Sequence, residues 1–330
     1  MARTQTLATL GEFGFLDRLL PTLGRNREVL VGAGDDCAVV RCGNRRLLIT
    51  TDALVEGVHF KSEWLSLRQL GRRSLLVNLS DIAAMGGRPT FCVISVGVPA
   101  SYPAANLFAV HDGIKSAARA TSVAIVGGNI TRAKELFISI TLLGECGPNY
   151  LTRSGARDGD ELWVTGTVGD AALGVRQLER GVRRGPAVQR YREPQPRLAA
   201  GRLLAEHKVA TALIDISDGL LQDLGHLAAA SGVGAVIEVD ALPYSPALRR
   251  LPAADALALA LRGGDDYELL CAVPHRRVPA LQRIAKRLGC RITRIGRCVP
   301  KRAGIQLIGA GREVRVAAGG GWDHFVNRES

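Results

Sequence analysis

No run of about 20 apolar residues occurs in this chain of 330, so no segment qualifies as a membrane-spanning helix, and the amino terminus lacks the apolar stretch of a secretory signal. A cytoplasmic protein with no membrane partner is expected. Seven cysteines, an odd number without a C-x-x-C pair, argue against a disulfide framework or a zinc ribbon. Reduced thiols packed in strands, as at Cys92 and Cys271, fit better, and Cys37 and Cys42 are read as structural. No G-x-x-x-x-G-K-S/T is present, which excludes a P-loop, and the glycine loop, H-R-D and D-F-G of protein kinases are missing as well.

Acid and base are unequal, giving a formal net charge of +12. Such an excess can mark a nucleic-acid binder, but most of it is arginine spread along the chain. One dense stretch, running from Arg176 through Arg180, Arg183, Arg184, Arg190 and Arg192 to Arg197, contains a single aromatic residue, Tyr191, and has no RNP, zinc-finger or helix-turn-helix pattern with it. It reads as a solvated helix and loop, with steering of an anionic substrate as the sharper alternative. No nucleic-acid partner is expected.

Hydrophobic residues make up 47% of the chain and 38 residues are glycine, without low-complexity tracts, as in a folded α/β enzyme long enough for two domains. A first helix is expected over Gly11 to Leu20, a hairpin from Ala38 to Val40 and Arg46 to Thr50, and a helix over Leu67 to Leu79. Strands are expected at Phe91 to Val98, Val123 to Val126 and Phe137 to Leu143, with a helix over Ala104 to Thr121. The segment Gly147 to Gly159 turns polar and glycine-rich before a fresh strand at Glu161, which sets the expected domains at 1–148 and 149–330. The second half repeats the style of the first, with a strand at Ala212 to Ile216 feeding Ser217-Asp218-Gly219; Ser-Asp before a helix is expected in both halves.

Carboxylates gather where small residues meet strand-like runs: Asp35 and Asp36, Asp52, Asp81, Asp215 with Asp218, and Asp265 with Asp266. Taken singly, each has an ordinary explanation, since Asp and Ser cap helices and Asp-Gly makes turns; Asp81 and Asp218 look most like caps. Taken together in a basic protein they form the oxygen-rich ligand set of a hard cation such as Mg2+ carrying nucleotide phosphates. Gly32-x-Gly34 is no dinucleotide fingerprint, because the third glycine is missing and two aspartates stand where pyrophosphate would approach. His59 follows the Asp52 loop on a segment read as extended, and Trp322 offers a face for stacking on a flat heterocycle.

Six motifs then converge. Gly32-x-Gly34-Asp35-Asp36-x-Ala38, Thr50-Thr51-Asp52-x-Leu54-Val55-Glu56-Gly57-Val58-His59-Phe60, Asn78-x-Ser80-Asp81-x-Ala83-Ala84-Met85-Gly86, Asp215-Ile216-Ser217-Asp218-Gly219-Leu220, Gly263-Gly264-Asp265-Asp266-Tyr267-Glu268-Leu269 and Gly321-Trp322-Asp323-His324-Phe325 resemble thiamine-monophosphate kinase, within the superfamily of aminoimidazole ribonucleotide synthetase and selenophosphate synthetase. The resemblance covers nearly the whole chain. It implies two α/β domains with mixed sheets, dimerising as a homodimer through the amino-terminal sheet, and ATP-dependent phosphorylation of thiamine monophosphate. It further implies Asp35, Thr50, Thr51, Asp52, Asp81, Asp215 and Asp218 as Mg2+ ligands, with Arg153 and Ser217 on ATP. His59, one of Asp265 and Asp266, and Trp322 would meet the substrate.

Two positions depart from that pattern. Gly127-Gly128-Asn129-Ile130-Thr131 stands where the family has Gly-Gly-Asp-Thr, so Gly128 and Asn129 are expected on ATP, and Asn129 also on Mg2+ through a neutral amide that binds more weakly than the carboxylate it replaces. His111 takes the place of a tyrosine near the adenine. A paralogous kinase with another small substrate, or a silent nucleotide or thiamine-phosphate binder, are the rival readings those changes raise. Selenophosphate synthesis fits poorly, because the first cysteine is Cys37 and no lysine precedes Lys61. The chemistry itself needs no general base: a phosphate monoester with a second pKa of about 6 is already dianionic near neutrality, and in-line transfer depends on positioning and charge neutralisation.

Overall fold

Strand alternation and helix capping divide the chain into two layered halves in the computed structural model, which describes residues 6–24, 26–314 and 325. In the first half α1 (Leu7–Leu19) is bent at Gly11, whose φ of 72° only glycine adopts readily, so the helix begins earlier than the expected Gly11. Strands β1 (Val29–Val31), β2 (Ala38–Cys42), β3 (Arg45–Val55), β4 (Arg88–Val98), β5 (Ala124–Arg132) and β6 (Phe137–Cys146) form one sheet in the order β1-β2-β3-β6-β4-β5. Only β5 runs parallel to its neighbour, β4.

Helices α2 (Leu67–Ala84) and α3 (Ala104–Ala120) cover one face of this sheet. The inward residues Leu48, Leu54, Cys92, Ile94, Ile140 and Leu142 join Leu75, Leu79, Ile82 and Ile114 in one core. The opposite face keeps Phe91 and Val93 exposed. Ser66 starts α2 with a capping box, its hydroxyl accepting from the Gln69 amide at 3.2 Å. The helix then continues past the expected end at Leu79 to Ala84, so Ser80 and Asp81 lie inside it rather than ahead of a new helix. The cap reading of Asp81 is thereby corrected: the small residues that follow it extend the helix instead of breaking it.

The second half holds β7 (Glu161–Thr165), β8 (Ala212–Ile216), β9 (Val233–Glu238), β10 (Glu268–Val273), β11 (Ile292–Pro300), β12 (Ile305–Gly309) and β13 (Arg312–Glu313), ordered β13-β12-β9-β11-β7-β10-β8. Its helices are α4 (Asp170–Glu179), α5 (Pro186–Arg192), α6 (Leu198–Glu206), α7 (Leu220–Ser231), α8 (Ala253–Arg262) and α9 (Val278–Ala285). Leu178 of α4 and Val188 and Tyr191 of α5 complete the core of the first half, and α6 packs on α2. The halves are therefore closely joined, and the acidic loops of both meet at that junction.

The dense basic stretch is solvated only in part: residues 179–186, with Arg180, Arg183 and Arg184, are exposed as expected, but its later part is not. Arg190 and Arg197 turn inward and pair with Glu268, which is fully buried and also accepts from the Thr165 hydroxyl at 2.6 Å. Two guanidinium groups answer one carboxylate there, which is what makes its burial tolerable.

Candidate active site

Three carboxylates from separate parts of the chain converge. Asp36 comes from the loop between β1 and β2, Asp81 from the last turn of α2, and Asp215 from β8 in the other half; one oxygen of each lies within 4.8 Å of the others. Thr50, an inward residue of β3, donates to Asp81 Oδ2 at 2.5 Å. Arg153 gives Asp36 Oδ1 two hydrogen bonds, from Nε at 3.1 Å and Nη2 at 2.7 Å. The other oxygen of Asp36, and Oδ2 of Asp215, are buried without a hydrogen-bond partner among the described residues.

Burial and mutual repulsion set the electrostatics. Burial pushes the Asp36 carboxyl up to about 8 despite Arg153, and Asp215 up to about 6. Asp81 is raised well above the usual carboxylate range, first by burial and then by Asp52, Asp215 and Asp36. Hard oxygen donors with orphaned lone pairs, and charges that cannot all exist side by side with one guanidinium, fit a divalent cation of the Mg2+ type.

Asp35 stands differently from its neighbour. Both of its oxygens accept from the Arg153 amide at 3.2 Å, so it anchors the segment that carries Arg153, while Asp36 supplies the carboxylate of the cluster. Asp52, on the helix-covered face of β3, has its amide held by Asn78 Oδ1 at 3.0 Å, and burial followed by Asp218 and Asp265 raises it to about 6. Thr51 faces the other side of the sheet by alternation and donates to the Ile140 carbonyl at 3.2 Å. Asp218 precedes α7, where Asp223 accepts from the Asp218 and Gly219 amides at 3.1 and 3.0 Å. The capping role expected of Asp218 thus belongs to Asp223, leaving Asp218 close to Asp223 and His226 and its carboxyl raised to about 6 by burial. Ser217 lies between, its carbonyl accepting from the Asp265 amide at 2.8 Å.

His59 sits in a tight turn after β3, not on an extended segment, because its amide donates to the Val55 carbonyl at 2.9 Å. Its Nδ1 accepts from the Val55 amide at 3.0 Å, which places the ring proton on Nε2. The two neighbours in the Gly-Gly-Asp-Asp loop separate cleanly. Asp266 is fully buried and takes the amides of Gly169 and Ala171 at the start of α4. Asp265, with φ of 68°, turns the other way and meets Arg73 of α2 at 2.6 Å.

His111 on α3 and Gly128 and Asn129 on β5 share a cleft of about 250 Å³ with Ile94, Ile125 and Ile130. Asn129 pairs with Ser95, Ser95 with Ser139, and Ser139 with Ala53. Asn129 is thus three strands away from β3 and is not brought to the Asp36, Asp81 and Asp215 cluster within one chain. Trp322 lies outside the described residues. The resemblance pointed to Asp35 rather than Asp36 for the metal, Asn78 was noted only within a motif, and Arg73 and Asp223 were missed altogether. For α2 a signal existed: Leu70, Arg73, Val77 and Asp81 share one face at helical spacing, so Arg73 falls in the buried stripe.

Residues 34–146 match the family described as AIR synthase related protein, N-terminal domain, and residues 157–308 match AIR synthase related protein, C-terminal domain. The thiamine-monophosphate kinase of Salmonella typhimurium is 36% identical over 326 residues, covering 96% of this chain and 98% of that protein. That of Aquifex aeolicus is 35% identical over 328 residues, covering 97% and 99%. Among solved structures, AaThiL complexed with AMPPCP and TMP is similar with a TM-score of 0.84 at 33% identity, covering 98% of this chain and 100% of that one. Thiamine-monophosphate kinase from Stenotrophomonas maltophilia K279a is similar with a TM-score of 0.75 at 37% identity, covering 92% and 98%.

Proposed function

Since the chain belongs to the thiamine-monophosphate kinase family, we propose that the acidic junction between its halves is where the γ-phosphoryl group of ATP passes to the phosphate of thiamine monophosphate. The observation that carries this reading is the trio of buried Asp36 and Asp215 with half-buried Asp81, two of whose oxygens, one from each half, are buried without a partner among the described residues. These three, with Thr50, Asp52 and Asp218 beside them, would hold Mg2+. When bound, Mg2+ supplies positive charge that offsets the repulsion between two phosphate groups. Asp35 fixes the Arg153 backbone, and Arg153 turns its guanidinium to the same place, where it can meet a triphosphate oxygen.

On the substrate side, Asp265 of the second half and His59 of the first, linked through Arg73 and Tyr191, would orient the heterocycle, with Trp322 assigned to stacking. Asp266 is excluded from substrate contact because both its oxygens are committed to the start of α4. The acceptor phosphate is largely dianionic near neutral pH, so no side chain has to remove a proton from it, and the residues act by positioning and by excluding water. Transfer is direct. Incubation with γ-labelled ATP is expected to place label in thiamine diphosphate and none on the protein; a labelled protein during turnover would contradict direct transfer.

We also assign domains at 1–148 and 149–330 and a homodimer closed through the open face of the first sheet, where Phe91 and Val93 are 49% and 37% exposed. Supporting this is the placement of Gly128 and Asn129 on the outlying strand β5, with His111 of α3 beside them, away from the acids of their own chain. Equilibrium sedimentation is expected to give a dimer, and Phe91→Glu a monomer. No described helix is long and apolar enough to cross a membrane, and all seven cysteines are free, in keeping with our assignment to the reducing cytoplasm.

A further inference from the structure

Arg73 is the largest fully buried side chain among the described residues, at 1% side-chain exposure in the middle of α2. A buried guanidinium is costly unless its donors are met, so its partners show what it is for; Nη1 and Nη2 find partners, while Nε finds none among the described residues. Nη2 donates to Asp265 Oδ1 at 2.6 Å, and Nη1 donates to the Tyr191 carbonyl. The plane lies 4.4 Å from the Tyr191 ring centre and 5.9 Å from that of Tyr267. Tyr267 also donates its hydroxyl to Asp265 Oδ1, at 3.0 Å.

Both hydrogen bonds to the Asp265 carboxylate therefore fall on Oδ1. Its Oδ2 takes none among the described residues, and the side chain is 31% exposed, so Oδ2 is the oxygen left open to a ligand. The loop that carries it is strained: Asp265 and Tyr267 have φ of 68° and 51°. Conformations of that kind persist only when surroundings over-determine them. Here the Asp265 and Tyr267 amides are tied to the Ser217 and Ile216 carbonyls, each at 2.8 Å, and Arg73 holds the side chain. On its far side Tyr191, under the guanidinium, donates its hydroxyl to the His59 carbonyl at 3.0 Å.

Arg73 thus touches, directly or through one tyrosine, two of the groups assigned to the substrate, Asp265 and His59, one from each half of the chain. Resting on the thiamine-phosphate reading, we infer that Arg73 is a positioning residue that sets Asp265 Oδ2 and the His59 turn at a fixed separation to receive the amine-bearing ring of the substrate. The role requires a planar fork that donates in two directions while stacked on a ring, which lysine cannot reproduce although it carries the same charge.

Steady-state kinetics on both substrates test it. Arg73→Lys is expected to raise KM for thiamine monophosphate about tenfold, with kcat within about threefold and KM for ATP unchanged. Tyr267→Phe, which removes only one donor from Oδ1, should raise the same KM by about threefold. Combined with Asp265→Asn, the Arg73→Lys effect should fall well short of the product of the single effects, since the two residues act through one carboxylate. An unchanged KM for thiamine monophosphate in Arg73→Lys, an equal rise in both KM values, or fully multiplicative effects would overturn the assignment. Should Arg73→Lys fail to fold, Tyr267→Phe with a wild-type KM would overturn it alone. Turnover by the unsubstituted protein is read first: none with saturating ATP and Mg2+ removes the kinase reading and this role with it, whereas normal turnover with unshifted variants removes only the role.

Discussion

Adjacent aspartates in two loops of this chain have separate duties, and single substitutions tell them apart. Asp266 gives one oxygen each to the Gly169 and Ala171 amides in a fully buried site, so Asp266→Ala leaves two donors of the α4 start unmet. We expect it to lower unfolding stability by about 1–3 kcal/mol in a denaturant titration. In the other loop, Asp36→Asn removes a carboxylate from the trio and should lower Mg2+-dependent kcat by on the order of a hundredfold, whereas Asp35→Asn should cost much less. Comparable losses in both variants would place Asp35 in the cluster after all. Which member of each pair faces the cleft was not legible in the sequence, because one residue step reverses a side chain and the deciding feature is local backbone, such as φ of 68° at Asp265.

Helix approach is set by glycines at positions where a methyl group has no room. A Cβ on Gly71 of α2 would lie 1.9 Å from the Val110 carbonyl oxygen, and one on Gly113 of α3 would lie 2.1 Å from that of Arg68. The obstacle is backbone in both cases and cannot rotate away, so Gly71→Ala should destabilise by about 3 kcal/mol or more by thermal or chemical unfolding. Gly201 does the same between the halves, its Cβ falling 1.9 Å from the Ala83 carbonyl oxygen. At this scale the sequence was most readable: the Ala38 hairpin, the strands up to Leu143 and the helices near Leu67 and Ala104 follow from periodicity. What escaped it were long-range pairings. Arg73 meets a residue 192 positions away, and Arg190 meets one 78 positions away. A basic residue in a sequence window reads as solvated until its distant acid is known, which is why the stretch from Arg176 to Arg197 was taken for a surface.

Across the whole molecule, the acidic trio joins the halves through a set of carboxylates that resist ionisation. Burial raises Asp36 to about 8 and Asp52, Asp215 and Asp218 to about 6, above the ordinary value of 3.8. Between about pH 4 and pH 8 the metal-free folded protein therefore binds more protons than the unfolded chain, and this contribution to stability is lost as pH rises. The melting temperature of the metal-free protein should fall from about pH 5 to about pH 8, and millimolar Mg2+ should restore more of it at the higher pH, where the ligands are deprotonated. Asp215→Asn should flatten both trends; a Mg2+ effect independent of pH would contradict the assignment of these carboxylates.

The measurement that tests the account most directly is formation of thiamine diphosphate from thiamine monophosphate by the purified protein with ATP and Mg2+, beside a parallel incubation with thiamine. We predict Mg2+-dependent turnover of the monophosphate and none of thiamine, with Asn129 in place as it stands. Absence of thiamine diphosphate at saturating ATP and Mg2+, from a protein that is folded and dimeric, would contradict it.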